Sequence, residues 1–440
     1  MSVLIKNATV LTPRGAVHGD LFTEANTIAA IGRCRERAEH VIDGTGKIAM
    51  PGLVNAHTHV AMNIFRGYGE DLPLTRWLEE KIWPIEAKQK PSDIAASARL
   101  AFCEMLRSGT TAFAEMCLFD TKGIFTAAKQ AGMRGIISRC FLDFEDPGRM
   151  KQQLREIPGS LEYGDGATLR PSVAAHAPYT CSEEILIRSK ELARKRPYAC
   201  SEEIILKSKE LAQKKGLKYQ IHVSETRQEV FDVMKKRGKY PYEYLDSIGV
   251  MDKDSLFAHG GWLTKREILL GGKRGVSMAH CPVSSMKLAT GGIAQITELD
   301  AAGANVCLGT DGSASNNSLD MFQTMKVAAL LQKHHYWQAD ILPCRKVLDF
   351  ATVNGAKALG FDAGALEPGK LADVVLLERG PNMHPEHDLI SNIVYAAGPQ
   401  NVTDVIIDGR PVMLGREILT LDEKAVMEEA DRSAADILRR

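Results

Sequence analysis

Two histidines separated by a single residue, His57 and His59, are the first residues in this chain whose type and spacing could do chemistry. Side chains alternate along a strand, so both imidazoles would face the same side. His222 and Asp311, at the ends of two further strand candidates, add a nitrogen and a carboxylate. Three neutral imidazoles and one carboxylate suit a single divalent ion, with Zn²⁺ as the first choice. The alternative for the histidine pair is a hydrogen-bonded packing role in the core.

Hydrolysis at such an ion also needs groups that accept and donate protons. A bound ion lowers the pKa of a water molecule from about 16 to about 7, and Asp311 would accept its proton. Glu225, three residues after His222, would protonate the ring or the leaving group, and His259 would steady the tetrahedral centre. The alternatives are a solvated loop carboxylate for Glu225 and a backbone hydrogen bond for His259. His280 is predicted either to support the metal site or to pack in the core.

The residue types at the end of the fourth strand candidate indicate how many metal ions the site would hold. A second ion usually requires a bridging ligand, often a carboxylated lysine at this position. The chain instead has AAHAPYT, with His176 and no lysine. The sequence therefore predicts one divalent ion per subunit.

These side chains need a scaffold that brings the ends of many strands together. The middle of the chain alternates strand and helix patterns, which is typical of parallel βαβ units. Eight strand candidates are residues 52–59, 110–116, 135–143, 170–178, 218–225, 256–262, 275–282 and 305–313. They predict an α/β fold with a (β/α)₈ TIM-like barrel, whose chemistry lies at the C-terminal ends of the strands. The candidate residues lie at or just past those ends.

Strand-rich segments with turns occupy both ends of the chain. We expect residues 1–51 and 366–440 to form a small composite β-sandwich domain, with the barrel in residues 52–365. A charged amphipathic helix is predicted at about 422–440.

Residues 178–196 and 197–215 form a tandem duplication, PYTCSEEILIRSKELARKR followed by PYACSEEIILKSKELAQKK. Each copy predicts a helix with a serine, Ser182 in the first copy, as its N-cap. Pro197 would break the helix between the copies, so we expect a helix–turn–helix with the extra copy outside the barrel wall. The alternative is one continuous helix through residues 183–215.

Composition argues against several classes of protein. Of the 440 residues, 45% are hydrophobic and 25% are charged, and the formal net charge is zero. This balance argues against nucleic acid or an anionic membrane as the main partner. No apolar run approaches the roughly 20 residues that span a bilayer, and the first residues do not resemble a signal peptide. The nine cysteines include no CxxC pair. We expect a cytoplasmic protein with a small-molecule substrate, and the sequence is compatible with a homo-oligomer.

Five segments together resemble a known family. They are PGLVNAHTHVAMNIFRGYGEDLPLTRWLEEKIWPIE, HAPYTCS, IHVSET, AHCPVSSMKLATGG and LGTDGSASNNSLDMF. Nearly end to end, the chain is similar to the amidohydrolase superfamily and, within it, to the 5′-methylthioadenosine/S-adenosylhomocysteine deaminases. The resemblance implies a barrel with one zinc-type ion that attacks C6 of adenine and releases ammonia. The duplication departs from the family pattern, which has a single PYTCS helix segment.

The resemblance also implies contacts with the substrate. Glu86, in WPIE, matches the carboxylate that accepts both ribose hydroxyls, and His176 matches the residue at the edge of the adenine ring. Arg139 and Arg149 match two arginines that would hold the homocysteine carboxylate. The alternative for either arginine is an ordinary surface charge.

Three functions are compatible with some or all of these residues. The first is deamination of S-adenosylhomocysteine, methylthioadenosine or a related adenosine. The second keeps the metal chemistry but acts on guanine, an s-triazine or another cyclic amidine, with chloride as one leaving group. Glu86 and the arginines argue against it, since a small flat ring offers neither diol nor carboxylate. The third is a non-catalytic scaffold, which would generally have lost metal ligands that this chain retains.

Overall fold

Two sheets organise the protein, and the computed structural model describes residues 1–119, 121–195 and 216–440 of it. Five strands come first: β1 (Ser2–Thr12), β2 (Gly15–Glu24), β3 (Thr27–Gly32), β4 (His40–Asp43) and β5 (Lys47–Pro51). Eight follow in the middle of the chain: β6 (Leu53–Thr58), β7 (Thr110–Cys117), β8 (Arg134–Phe141), β9 (Leu169–Ala175), β10 (Tyr219–Val223), β11 (Ser255–His259), β12 (Ser277–His280) and β13 (Asn305–Leu308). The last four are β14 (Val374–Glu378), β15 (Val402–Ile407), β16 (Arg410–Leu414) and β17 (Glu417–Ile418).

Helices connect these strands and cover the outside of the barrel. The α-helices are Leu74–Trp77, Trp83–Glu86, Pro91–Arg107, Lys122–Ala131, Pro147–Ser160, Glu183–Lys195, Arg227–Arg237, Pro241–Ser247, Lys265–Arg274, Pro282–Lys287, Ile296–Ala301, Ser313–Asn316, Met321–Tyr336, Cys344–Ala351, Val353–Leu359, Leu389–Tyr395 and Glu423–Arg439. Leu78–Ile82 is a π-helix, and the 3-10 helices are Val60–Phe65, Pro381–Met383 and Pro399–Asn401. In the part of the chain that the structure describes, no helix combines the length and apolar character that crossing a bilayer requires.

Strands β6 to β13 form the barrel. Each strand pairs in parallel with the next one along the chain, so strand order in the sheet follows the sequence. The first and last strands meet where the Asp311 N–H donates to the His57 carbonyl at 3.0 Å. Gly309 permits this approach, because a Cβ there would lie 2.8 Å from the Cβ of His57. The predicted eight strands and (β/α)₈ barrel are confirmed.

Burial on both faces explains the composition of the barrel strands. Every residue of β6, β7, β10, β11, β12 and β13 is buried. Helices cover the outside and side chains fill the inside, so both faces favour apolar or small residues. Some polar side chains inside are hydrogen-bonded to one another, as where Gln220 Nε2 donates to Ser138 Oγ at 3.2 Å and to Ser172 Oγ at 2.9 Å. Among the described residues, the space for a ligand lies above this filled interior, at the strand ends.

The strands of the two termini form one mixed sheet. Its order is β17-β16-β15-β14-β5-β1-β2-β3, and β4 pairs with β1. The N- and C-terminal parts join where β5 and β14 pair antiparallel, with Pro51 opposite Val374. Side chains of one face, such as Val3 and Val374, form a core of their own, whereas those of the other face, such as Met50, join the core of the barrel. The composite terminal domain is thereby confirmed, and its divisions after residues 51 and 365 stay predictions.

A buried ion cluster fastens this sheet to the bottom of the barrel. Arg134, the first residue of β8, donates from Nε to Asp373 Oδ2 at 2.6 Å and from Nη2 to Asp408 Oδ1 at 2.8 Å. The side chains of Arg134 and Asp373 are 1% and 2% exposed. Asp373 precedes β14 and Asp408 follows β15, so one guanidinium connects both domains.

The predicted C-terminal helix is confirmed as Glu423–Arg439, but it packs on the barrel rather than on the terminal sheet. It lies along Pro91–Arg107, where Arg99 Nη2 donates to Glu429 Oε1 at 2.6 Å.

In the first copy of the duplication, the Ile185 N–H donates to Ser182 Oγ at 3.2 Å, which confirms the predicted N-cap. The predicted break at Pro197 and the second helix lie outside the described residues.

Candidate active site

Five histidines converge at the C-terminal ends of the barrel strands. His57 and His59 lie at the end of β6, His176 follows β9, His222 lies in β10, and His259 ends β11. The ring centroid of His57 lies 4.9 Å from those of both His59 and His222, and 5.3 Å from that of His259. The rings of His176 and His222 are 5.0 Å apart. The fold thus brings together histidines that are separated by up to about two hundred residues in the sequence.

The four predicted metal ligands lie around one point. The ligand atoms of His57, His59 and Asp311 lie within 4.8 Å of one another, as do those of His57, His222 and His259. His59 Nε2 lies 3.3 Å from Asp311 Oδ1 and 3.3 Å from His222 Nε2. Donor set and spacing suit a divalent ion that prefers nitrogen and carboxylate ligands.

Backbone carbonyls fix the tautomers of two of these histidines. Nδ1 of His59 lies 2.7 Å from the Met116 carbonyl, and Nδ1 of His222 lies 2.8 Å from the His176 carbonyl. A carbonyl can only accept, so each Nδ1 carries the hydrogen and each Nε2 presents a lone pair. Two lone pairs 3.3 Å apart repel unless a cation lies between them. His57 Nε2 is also buried without a hydrogen-bond partner, so the site fits a metal.

The carboxylate of Asp311 is held by its own neighbours. Oδ2 accepts from Ser284 Oγ at 2.5 Å and from Ser315 Oγ at 2.8 Å, and Oδ1 accepts from the Gly312 N–H at 2.9 Å. The backbone of Asp311 has a φ of 64°, a strained conformation of the kind found at functional sites. Burial raises its pKa, but the adjacent histidines, His59 first, outweigh burial and hold the pKa well below its usual range. Asp311 is therefore ionised at neutral pH.

Glu225 and His259 lie side by side next to this cluster. His259 Nε2 is 3.8 Å from Glu225 Oε1, and both side chains are buried. Burial, reinforced by the charge of Asp311, raises the pKa of Glu225 to about 8. Burial lowers the pKa of His259, which has a strained φ of 76°. At neutral pH, Glu225 carries a proton that it can donate and His259 is a neutral imidazole.

A second glutamate, which the sequence analysis did not identify, fixes the loop of Glu225. Glu229 is 3% exposed and lies in the first turn of Arg227–Arg237. Its Oε1 accepts from the Ser224 N–H at 2.7 Å and its Oε2 from the Glu225 N–H at 2.8 Å. Ser224 has a φ of 53°, so the two bonds stabilise a strained turn from which Glu225 extends into the site.

We expect Glu229→Leu to lower kcat about 100-fold while the metal content stays at the level of the wild type. The substitution leaves two buried N–H groups without acceptors and releases the turn, and a displacement of about 1 Å costs on the order of 100-fold in rate. His222 keeps its own anchor on the His176 carbonyl. Steady-state kinetics and metal analysis test this. Glu229→Gln, which retains one acceptor, should give an intermediate rate, and metal loss in step with kcat would contradict the assignment.

One cavity opens onto these residues and extends along an apolar wall. Its polar lining includes Glu86, His59, His176, Tyr179, His222, Glu225, His259, Asp311 and Ser315. Its apolar lining includes Met62, Leu74, Trp77, Leu78, Ile82 and Trp83. Burial raises the pKa of Glu86 to about 7 and lowers that of His176 to about 3. The cavity thus combines the ligand cluster, a proton donor, a neutral imidazole and a separate carboxylate.

The structure does not bring the two predicted arginines to the cavity. Cys140 faces the cavity, and because side chains alternate along β8, the neighbouring Arg139 lies on the opposite face. There Arg139 donates from Nη2 to Glu156 Oε2 at 3.0 Å. The guanidinium of Arg149 lies 5.3 Å from the ring centroid of Phe144. Neither arginine lines the cavity, so the predicted contact with a carboxylate is not supported by this arrangement.

His280 ends β12 and does not line the cavity. Its backbone carbonyl accepts from the Gly309 N–H at 3.0 Å, and burial lowers the pKa of its ring to about 3. Of the two predicted roles, this position favours packing.

Comparison with known proteins identifies the family. The model of the amidohydrolase family matches residues 48–412, which contain the whole barrel and every candidate ligand. The chain belongs to the amidohydrolase family. A 5′-deoxyadenosine deaminase of Methanothermobacter thermautotrophicus is 42% identical to this amidohydrolase, with 99% of each chain covered. A 5-methylthioadenosine/S-adenosylhomocysteine deaminase 1 of Archaeoglobus fulgidus is 39% identical, with 98% of each chain covered.

A solved structure is similar over the whole chain. It is an adenosine deaminase from Xanthomonas campestris with bound zinc, 32% identical to this amidohydrolase, with a TM-score of 0.88. The alignment covers 100% of this chain and 99% of the other. Fold and family are therefore established by sequence and by shape.

Proposed function

We propose that this amidohydrolase deaminates the adenine ring of an adenosine derivative modified at the 5′ position. Water adds at C6, the bond from C6 to the amino nitrogen breaks, and the products are ammonia and the corresponding inosine derivative. The observation that carries the proposal is one cavity in which the buried Glu225 lies beside the ligand cluster and Glu86 supplies a second carboxyl group. Burial raises the pKa of Glu225 to about 8, which favours the protonated form. The names of the relatives support the same reaction class.

The proposed ligands of the metal are His57, His59, His222 and Asp311, and Zn²⁺ is the proposed ion. When bound, a divalent ion activates a water molecule for attack at neutral pH. The lone pairs at Nε2 of His59 and His222 support this ligand set, as does the zinc in the similar adenosine deaminase.

The residues of the chain move the protons of this reaction. Asp311 is ionised and accepts a proton from the attacking water. Glu225 donates its proton to a ring nitrogen, which makes C6 more electrophilic, and the amino group leaves as ammonia after a further proton transfer. The neutral His259 lies beside Glu225 and donates a hydrogen bond to the oxygen that becomes attached to C6.

The walls of the cavity suggest how the nucleoside is held. Glu86 is proposed to accept hydrogen bonds from both ribose hydroxyls, and His176 to contact the edge of the adenine ring. The apolar residues between Leu74 and Trp83 are proposed to cover the 5′ group. Among the described lining residues there is no arginine or lysine, so 5′-deoxyadenosine and methylthioadenosine should be better substrates than S-adenosylhomocysteine.

Ammonia release from a panel of compounds tests this proposal. The zinc-loaded protein is assayed with 5′-deoxyadenosine, methylthioadenosine, S-adenosylhomocysteine, adenosine, guanine and a chlorotriazine, the last followed as chloride. We expect turnover of the adenosine compounds alone, with the two apolar 5′ groups giving the highest kcat/KM. Turnover of guanine or of the triazine alone would retain the metal site but reject the nucleoside substrate.

The pH dependence of Glu86→Gln tests the proposed ribose contact. Hydrogen bonds to an ionised carboxylate are worth about 1.5 to 3 kcal/mol, so the variant should lose roughly tenfold to hundredfold in kcat/KM near pH 8. Burial raises the pKa of Glu86 to about 7. Below that pH the carboxyl group of the wild type is neutral, like the amide group of the variant. The ratio of kcat/KM between wild type and variant should therefore rise with pH through about 7. Groups that titrate in both proteins cancel in this ratio, and a flat ratio would contradict the contact.

A further inference from the structure

A buried glutamate lies behind the metal-ligand candidates. Glu115 of β7 is 0% exposed and does not line the cavity. Its Oε2 accepts from Thr58 Oγ1 at 2.8 Å and from the Val60 N–H at 2.8 Å. These two residues stand immediately before and after His59, so one carboxyl oxygen holds the chain on both sides of a candidate ligand.

The same strand also fixes the ring of His59. Met116, the residue after Glu115, accepts from His59 Nδ1 at 2.7 Å. Two successive residues of β7 therefore hold three successive residues at the end of β6. With the backbone and Nδ1 both fixed, the direction of the remaining nitrogen, Nε2, is fixed as well.

We propose that Glu115 is a positioning residue for the metal centre, acting through Thr58 and Val60 on the direction in which His59 presents Nε2. This inference rests on the proposed metal site and is independent of the substrate. Groups that orient metal-ligating side chains are worth about 10-fold to 100-fold in metal affinity. Removing the acceptor of Glu115 should therefore weaken zinc binding by that factor.

Glutamine at position 115 would keep an oxygen that can accept these hydrogen bonds, but it has no ionisable carboxyl group. Glu115 Oε1 is buried without a hydrogen-bond partner, and burial raises the pKa of the group to about 8, so the carboxyl is neutral at pH 7. In Glu115→Gln, the amide oxygen can accept from Thr58 and Val60 while the amide nitrogen takes the place of Oε1. In Glu115→Leu, the Val60 N–H loses its acceptor, and Thr58 Oγ1 keeps only the Ala114 carbonyl at 2.9 Å.

A matched control exists elsewhere in the barrel. Glu267 is also 0% exposed, and its carboxylate accepts from Thr264 Oγ1 at 2.9 Å and from the Tyr242 N–H at 3.0 Å. These two donors are of the same kinds as those of Glu115. The Thr264 N–H adds a third at 2.9 Å, and all three belong to helix starts away from the ligand cluster. Glu267→Leu therefore reports what losing such a carboxyl does to the fold alone.

Zinc affinity of the chelator-stripped full chain, measured by competition with a chromophoric chelator at pH 7, tests the proposal. We expect Glu115→Leu to bind zinc about 10-fold to 100-fold more weakly than the wild type. Glu115→Gln and Glu267→Leu should stay within about threefold of the wild type. If Glu115→Leu does not fold, Thr58→Val, which removes one of the two donors, should weaken zinc binding about fivefold.

Three results would overturn the assignment. The first is wild-type zinc affinity in Glu115→Leu, or in Thr58→Val if that variant takes its place. The second is an equal loss of zinc affinity in Glu115→Leu and Glu115→Gln. The third is a loss of zinc affinity in Glu267→Leu as large as that in Glu115→Leu. A wild-type protein that binds no zinc would instead reject the proposed metal site itself, and the role of Glu115 with it.

Discussion

Glu225→Gln should retain its metal and lose about 100-fold to 10,000-fold in kcat, the usual contribution of a positioned general acid. The substitution keeps the size of the side chain and removes the proton that burial and Asp311 hold on Glu225. The four proposed metal ligands are untouched. Steady-state kinetics with 5′-deoxyadenosine, together with metal analysis of the same preparation, measure the effect.

Binding of the inosine product provides the control for Glu225→Gln. The variant should bind 5′-deoxyinosine about as tightly as the wild type, because Glu86 and the apolar wall are unchanged. A kcat near that of the wild type would show that another group donates the proton. Loss of metal from the variant would show that Glu225 supports the ligands rather than the chemistry.

Arg134→Met should lower the free energy of unfolding by about 3 to 5 kcal/mol, the cost of breaking a buried ion pair by removing one partner. The guanidinium is bonded to Asp373 at 2.6 and 3.1 Å and to Asp408 at 2.8 Å. Methionine would leave the nearly inaccessible Asp373 without its cation. Urea denaturation followed by fluorescence and by circular dichroism measures the change.

Arg99→Met is the control for this prediction. Arg99 forms a bidentate pair with Glu429 at 2.6 and 3.1 Å, but the Glu429 side chain is 41% exposed. Solvent screens such a pair, so its loss should cost no more than about 1 kcal/mol. Equal losses from the two substitutions would contradict the special role given to the buried cluster between the domains.

The barrel was predictable because each strand leaves a local signal. Runs such as NVCLG are mostly apolar and lack the polar–apolar alternation of a half-buried strand, which indicates burial on both faces. Helical patterns separate one such run from the next. The long-range pairing of β5 with β14 has no such signal, since it depends on which strand edges meet after the chain folds. The docking of Glu423–Arg439 on the barrel was missed for the same reason: its amphipathic pattern shows one buried face but not what covers that face.

The ligand cluster was also predictable, because every member lies in the last two residues of a barrel strand or within three residues after one. Glu115 and Glu229 were not, because a glutamate inside a strand or in a first helical turn looks like many others until its acceptor contacts are known. For Arg139, the structure does not support the predicted contact. Similarity of motifs suggested a substrate contact, whereas the alternation along β8 turns Arg139 to the face opposite Cys140 and towards Glu156.

Metal-dependent deamination is tested most directly by the conversion of 5′-deoxyadenosine by one preparation of the protein. Conversion is measured before metal is removed with a chelator, after its removal, and after zinc is restored. The adenine-to-hypoxanthine change in ultraviolet absorbance and the ammonia released are followed together. We expect one ammonia for each hypoxanthine formed, loss of both signals without metal, and recovery of both with zinc. Undiminished conversion without metal, or no conversion by a zinc-loaded protein, would contradict this expectation.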